Sequence, residues 1–116
     1  MSKQIQFTKT GSPDVLQIVD VAVPAPKAHE VQIQIHAIGL NRAEMMYREG
    51  AYVIDPVFPA TLGYEGAGVV TAIGDGVSEF AIGDKVSVIP SFMFTEYGTY
   101  GELVNMPVHA VVKPPE

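Results

Sequence analysis

Glycine and proline interrupt this chain so often that it cannot be built from long helices. The 116 residues include 11 glycines and 9 prolines, about one residue in six against about one in eight in average proteins. Between these breaks lie short segments in which apolar and polar residues alternate, as they do in half-buried strands. The sequence therefore predicts a mainly β fold with one or two short helices.

The clearest strand pattern lies at residues 31–37, where aliphatic residues alternate with glutamine and histidine. This alternation places His36 on the polar face, which favours a solvated histidine over a metal ligand. The aromatic segment 90–101 is predicted to be a loop. Further strands are predicted at residues 4–8, 15–23, 62–73, 85–89, 101–105 and 109–113.

The spacing of apolar residues changes from strand-like to helix-like at Asn41. Asparagine is a preferred residue at a helix N-cap. Glu44 follows three residues later, at the spacing from which its side chain can bind the amide of the cap. With Gly50 as the stop, the sequence predicts a helix over 42–49. Glu44 and Arg48, four residues apart, are interpreted as a solvated pair on its surface.

Charge and composition exclude several classes of function. Lysine and arginine total 7 against 13 acidic residues, a net charge of −6, and scattered basic residues do not favour nucleic acid or an anionic membrane surface. The chain has no cysteine, which removes disulfides, catalytic thiols and thiolate metal sites. With a polar N-terminus and no long apolar run, we expect one cytoplasmic domain.

The glycine-rich stretch at residues 63–68 does not have the spacing of a dinucleotide-binding fingerprint. It also precedes the β-branched run Val69-Val70-Thr71, whereas the fingerprint connects a strand to a helix. Glycines inside a strand usually mark a bulge or a close approach of two backbones. We therefore expect Gly66 and Gly68 to lie in a bent strand.

Several motifs occur together in a familiar order. Gly39-Leu40-Asn41 precedes the short helix, Gly63-Tyr64-Glu65-Gly66-Ala67-Gly68 follows it, and Gly83-Asp84-Lys85-Val86 comes later. This order resembles the N-terminal catalytic domain of the medium-chain dehydrogenase/reductase superfamily. The resemblance covers nearly the whole chain and implies a GroES-like, partly open β-barrel that normally precedes a Rossmann domain.

The resemblance also implies how the chain is organised and what it needs. We expect residues 1–116 to be one GroES-like domain, a fragment of a longer two-domain enzyme. NAD(P)H would bind mainly to a Rossmann domain that these residues do not contain, so the chain alone is predicted to be inactive. Uncovered strand edges would make a homo-oligomer possible.

In the zinc enzymes of that superfamily, a cysteine stands at the position of Asn41 and a histidine at the position of Tyr64. An amide and a phenol are poor zinc ligands, so no metal site is predicted. The zinc-free branch, which resembles quinone oxidoreductases, has an asparagine matching Asn41. This implies NAD(P)H-dependent, zinc-independent reduction of a small quinone, enone or related carbonyl compound by direct hydride transfer.

The resemblance implies that Asn41 is catalytic and also contacts the cofactor, a role compatible with capping the helix. The family's tyrosine five residues beyond the asparagine falls on Met46, which we assign to the cofactor side. The neighbouring Tyr47 is rotated by about 100° along a helix, so it is expected to face the core. Tyr52 is the other candidate catalytic tyrosine.

Two further sets of residues are expected to support the site. Tyr64 and Glu65 would lie behind the residues that contact substrate and support them, although the residue pattern at Glu65 favours a strand glutamate that is hydrogen-bonded to a neighbouring turn. The loop aromatics would form a wall for a flat acceptor, or else simply pack beneath the loop. These loop aromatics are Phe92, Phe94, Tyr97 and Tyr100.

Two other functions remain open at this point. A GroES-like barrel could be a non-catalytic binding or assembly module that recruits a partner through its strand edges or aromatic loop. A zinc-dependent alcohol dehydrogenase domain is the third possibility, and it would need ligands that the sequence does not supply.

Overall fold

The computed structural model describes residues 1–113, where short strands alternate with turns around one α-helix. The helix α1 spans Arg42–Glu49, and 3₁₀ turns cover Pro13–Val15 and Val108–Ala110. The predicted mainly β fold is confirmed. The strands are β1 (Ser2–Phe7), β2 (Gln17–Val21), β3 (Glu30–Gly39), β4 (Ala60–Thr61), β5 (Glu65–Ile73), β6 (Lys85–Val88), β7 (Leu103–Pro107) and β8 (Val111–Val112).

The strands form two antiparallel sheets. One has the order β2-β1-β4, and the other has the order β7-β3-β5-β6-β8. The five-stranded sheet curls into a half-barrel, which confirms the predicted GroES-like architecture. The sheets meet where Gln4 on β1 forms an isolated bridge with Gly101.

The alternation in β3 contributes buried side chains to the core of the larger sheet. Ile33 is fully buried and lies opposite Val70 on β5 and Val104 on β7, while His36 is exposed as predicted. We call the buried residues around it the aliphatic core. Its members are Val31, Ile33, Val70, Phe80, Val86, Val88, Val104, Met106 and Val111.

The glycines of β5 allow β3 and β5 to pair closely. A Cβ atom on Gly68 would overlap the carbonyl oxygen of Gln34 across the strand pair. The β3–β5 register shifts twice, between Gln32 and Ile33 and between Ile35 and Ala37, and such irregularities bend a strand. The expected close approach and bend are confirmed.

Strand boundaries differ from the predictions where the chain forms other hydrogen bonds. The predicted strand at 62–73 begins only at Glu65, because the carbonyls of Leu62 and Gly63 accept from the amides of Tyr100 and Thr99 in the loop. The segments 15–23 and 109–113 are shorter strands than predicted, since a 3₁₀ turn occupies the start of each.

The helix has the predicted bounds and caps, but its buried face is different. Asn41 and Glu44 form the capping box, and Gly50 ends the helix in a left-handed conformation with φ of 79°. The interpretation of Glu44 and Arg48 as a solvated pair is wrong, because they are only 5% and 8% exposed. The Arg48 guanidinium instead donates to the carbonyl of Gly11 at 3.1 Å.

Candidate functional site

Two neighbouring strands bring Asn41 and Tyr64 to the same edge of the half-barrel. Gly39 at the end of β3 pairs with Glu65 at the start of β5. Because the strands are antiparallel, the residues just beyond this pair, Asn41 after β3 and Tyr64 before β5, leave the sheet at one edge. Residues 23 positions apart in the sequence are thereby brought into one region.

One carboxylate connects these two residues. Oε1 of Glu44 accepts from the backbone amide of Asn41 at 2.8 Å, and Oε2 accepts from the backbone amide of Tyr64 at 3.1 Å. The Tyr100 hydroxyl donates to Oε1 at 2.7 Å. Glu44 therefore joins the start of α1, the start of β5 and the aromatic loop.

Beside this carboxylate lies a second set of buried core residues, separate from the aliphatic core. We call it the aromatic cluster, and its members are Phe7, Tyr47, Ala60, Leu62, Tyr64 and Phe94. Within it, the ring of Tyr64 stacks on Phe94, with centroids 3.8 Å apart and planes 13° apart. Tyr52, partly exposed at its margin, places its hydroxyl oxygen 3.1 Å from that of Tyr64. The two phenols form a pair between the cluster and solvent.

The surroundings keep the phenols of Tyr64 and Tyr100 protonated. Burial, together with the hydrogen bond to Tyr52, raises the pKa of Tyr64 well above its usual value. Burial and the contact with Glu44 raise the pKa of Tyr100 in the same direction. At neutral pH, Tyr64 and Tyr100 therefore carry their protons and can act as hydrogen-bond donors.

Asn41 has a donor that its surroundings leave unused. Its backbone carbonyl accepts from the Glu44 amide at 3.1 Å, but its Nδ2 is buried with no hydrogen-bond partner among residues 1–113. Buried polar atoms are usually satisfied, so an exception in a native protein calls for an explanation. An acceptor supplied by a ligand would provide one.

The other predicted residues of the helix region occupy different positions. Tyr47 is fully buried and faces the core, as expected. Met46 is half-buried on α1, and its carbonyl accepts from the Ala51 amide at 2.8 Å. The Glu65 side chain lies over Gly39, at a surface depression of about 350 Å³.

The predicted aromatic wall is divided between two regions. Phe94 is buried beneath Tyr64. Phe92 contacts Tyr64 on one side and Tyr97 on the other, with centroid distances of 5.5 and 5.9 Å. Tyr97 packs against the aliphatic core and donates to Oε2 of Glu30 at 2.7 Å. Phe92 and Phe94 thus adjoin the candidate site, whereas Tyr97 is hydrogen-bonded to Glu30 at the start of β3.

Glu44 is the residue whose importance the sequence analysis missed. The spacing of the capping box correctly predicted its bond to Asn41, but it could not show that Tyr64 and Tyr100 also bind the same carboxylate. The available signal was the low apolar content of α1. A helix that has few apolar residues and still packs against a core must bury polar residues.

Neither a metal cluster nor a membrane-spanning helix is found in the part of the chain that the structure describes. Within residues 1–113, no three histidine, cysteine or acidic side chains gather closely enough to hold a metal ion. In the same range, no helix has both the length and the apolarity needed to cross a membrane.

Comparison with known proteins identifies the family. The model of the alcohol dehydrogenase GroES-like domain matches residues 27–116. The chain therefore belongs to this family, in the medium-chain dehydrogenase/reductase superfamily. The chain is 38% identical to the quinone oxidoreductase of Homo sapiens, an alignment that covers all of this chain and 34% of the human protein. It is 39% identical to the quinone oxidoreductase of Salmonella typhimurium over 91% of this chain and 31% of that protein.

Solved structures give the same result. A quinone oxidoreductase from Pseudomonas syringae superposes with a TM-score of 0.84 at 40% identity, over 100% of this chain and 34% of that one. The Escherichia coli quinone oxidoreductase complexed with NADPH gives 0.85 at 32% identity, over 97% and 33%. The chain thus spans about a third of the length of these relatives.

Proposed function

We propose that this chain is the substrate-side domain of an NAD(P)H-dependent, zinc-independent oxidoreductase that reduces quinones, enones or related carbonyl compounds. The observation that carries the proposal is the unpartnered Nδ2 of Asn41. Asn41 is joined through the Glu44 carboxylate to Tyr64, whose hydroxyl pairs with that of Tyr52. The match to quinone oxidoreductases, one of them solved with NADPH, supports it.

The residues present fit a nicotinamide cofactor. Nδ2 of Asn41 is a buried donor that lacks an acceptor within residues 1–113, and a carboxamide oxygen is such an acceptor. In the proposal Asn41 orients the nicotinamide, and Met46 lies on the cofactor side. When bound, NAD(P)H supplies the hydride, while the protein supplies binding and orientation.

Tyr52 and Tyr64 are proposed to act on the acceptor's oxygen. Tyr64 is the more buried phenol and retains its proton, so it can donate to the Tyr52 oxygen. Tyr52 would then direct its own O–H outward, toward the carbonyl oxygen of the acceptor. A donor aimed at an oxygen that gains negative charge stabilises the transition state.

The donor set also supports zinc independence. The positions that hold cysteine and histidine in the zinc enzymes carry Asn41 and Tyr64 here, and these are poor ligands for zinc. The proposed site therefore works by orientation and hydrogen bonding. We also propose that the 116 residues alone do not oxidise NADPH, because their glycine-rich stretch leads into the strand β5 and not into a helix as a phosphate-binding turn does.

The test uses the complete gene product, with NADPH oxidation followed in the presence of 1,4-benzoquinone. Asn41→Ala is expected to lower kcat/KM by on the order of 10- to 100-fold, whereas the control Gln34→Ala, at an exposed position on β3, keeps the wild-type value. Washing with a chelator should change nothing.

Three results would count against the proposal. The first is an absence of NAD(P)H oxidation with quinone, enone and carbonyl acceptors. The second is activity that requires zinc. Steady turnover by the purified 116-residue chain would overturn its predicted inactivity. Quinone binding without reduction would favour the non-catalytic binding module instead.

A further inference from the structure

Glu44 makes more contacts than a helix cap requires. A capping box needs only the bond from the Glu44 side chain to the Asn41 amide. The same carboxylate also accepts from the Tyr64 amide and from the Tyr100 hydroxyl. These two additional bonds stabilise elements other than the helix, since Tyr64 precedes β5 and Tyr100 belongs to the aromatic loop.

The burial of Glu44 is costly, so its position calls for a physical explanation. The side chain is 5% exposed, and a buried carboxylate is unfavourable unless it is paired or fully hydrogen-bonded. The ion pairs found within residues 1–113 are Lys3–Asp20 and Lys113–Asp84, so in that range Glu44 forms no ion pair. Hydrogen bonds from three separate parts of the chain offset the cost instead.

Resting on the proposed function, we infer that Glu44 is a positioning residue that holds Asn41 and the Tyr52–Tyr64 pair in a fixed relation. Its two oxygens bind the backbone amides of Asn41 and Tyr64 directly. Asn41, whose side chain is proposed to orient the nicotinamide, and Tyr64, whose phenol pairs with Tyr52, are therefore anchored at their backbones by one buried carboxylate. Glu44 acts through these residues and does not itself contact substrate.

The substitution Glu44→Gln isolates this role while keeping the size of the side chain. A glutamine has one acceptor oxygen and one NH₂ donor. Because the NH₂ group would face another N–H or O–H donor, glutamine can keep the contacts of one carboxylate oxygen but not of both. The matched control is Glu49→Gln, which makes the same chemical change at an exposed position of α1.

The first measurement is steady-state kinetics of the complete gene product with NADPH and 1,4-benzoquinone. Small misplacements of positioned groups cost up to about 100-fold in rate. We expect Glu44→Gln to lower kcat at least about 10-fold at a temperature where circular dichroism shows the variant folded, with KM within about threefold of wild type. Glu49→Gln should match wild type in both constants. An unchanged kcat in folded Glu44→Gln would overturn the inference.

The second measurement needs no activity and separates this inference from the proposed function. In the ¹⁵N-labelled 116-residue chain, Glu44→Gln should shift or broaden the NMR signals of the Asn41 side-chain NH₂ and the Tyr64 backbone amide, and Glu49→Gln should leave both in place. Unchanged signals in Glu44→Gln would overturn the inference. If the wild-type gene product reduces no acceptor, the proposed function fails, and the NMR result alone decides whether Glu44 positions these groups.

Discussion

The aliphatic core and the aromatic cluster are both well buried, but different forces hold them together. The aliphatic core lies in the half-barrel and consists mainly of branched side chains from its strands, with partners such as Ile33 and Val70 set by strand register. The aromatic cluster includes Tyr47 of α1, and Tyr100, which packs against the cluster, donates its hydroxyl to the buried Glu44 carboxylate. Shape complementarity stabilises the first region, and hydrogen bonding adds to it in the second.

This difference indicates where the chain can carry chemistry. A core of valine and isoleucine is filled by volume alone and presents no group that could bind a polar ligand. The aromatic cluster places unpartnered or solvent-facing polar atoms next to apolar rings, the combination typical of small-molecule sites. The half-barrel therefore serves as the scaffold, while the edge next to α1 holds the candidate site.

Removing volume from the aliphatic core should have the largest effect. Ile33 is fully buried between Val70 and Val104. Ile33→Ala should lower the free energy of unfolding by about 2–5 kcal/mol, measured by urea denaturation, because it leaves a cavity. The control Ile18→Ala, at a side chain 72% exposed, should change it by less than about 0.5 kcal/mol. Equal losses in the two variants would contradict the assignment of the core.

Removing one hydroxyl next to Glu44 should have the next largest effect. Tyr100→Phe keeps the ring but deprives Oε1 of Glu44 of a donor at 2.7 Å. Hydrogen bonds to charged groups contribute about 1.5–3 kcal/mol, and the free energy of unfolding from urea denaturation should fall by about that amount. A loss below about 0.5 kcal/mol would show that Glu44 does not depend on this phenol, and the contrast between the two regions would weaken.

The same contrast explains which features could be predicted from the sequence. Local patterns sufficed for the alternation around Ile33, for the Asn41–Glu44 capping box and for the close approach at Gly68. Each depends on residues within one element or on a backbone constraint that only glycine satisfies. The order of the motifs, through the family resemblance, then predicted the half-barrel itself.

Local sequence patterns could not predict polar contacts between residues far apart in the chain. Glu44 and Arg48 have the spacing of an exposed pair, yet their partners are Tyr64, Tyr100 and Gly11. Tyr97 looked like one of four loop aromatics, and only the structure shows that it binds Glu30 instead of joining the aromatic cluster. Which polar groups become buried is decided by tertiary packing, which places residues dozens of positions apart in contact.

The pH dependence of stability should separate a tyrosine outside the aromatic cluster from those within it. Burial, and then the bond to Glu30, raises the pKa of Tyr97 from about 10 to about 12. A raised pKa in the folded state gives stability that is present below pH 10 and is lost as the pH rises toward 12.

Glu30 is more exposed than Glu44, so solvent weakens its bond to Tyr97. Tyr97→Phe should therefore be less stable than wild type by only about 1 kcal/mol at neutral pH, and this difference should shrink between pH 10 and 12. Urea denaturation of both proteins across that range provides the measurement. Tyr64 and Tyr100 remain in both proteins, so their ionisation affects the two curves equally. A constant difference up to pH 12 would contradict the assignment of Tyr97.

The smallest effect is expected at Tyr47, which is fully buried in the aromatic cluster. Its hydroxyl makes no well-formed hydrogen bond within residues 1–113 and has only a weak interaction with the backbone of Val57. The folded state therefore bears a desolvation cost with little compensation. Tyr47→Phe removes that cost and keeps the edge-on packing with Phe7. The free energy of unfolding should stay the same or rise by up to about 1 kcal/mol in urea denaturation. A loss as large as that of Tyr100→Phe would mean that burial alone, and not the bond to Glu44, makes a phenol in this cluster important.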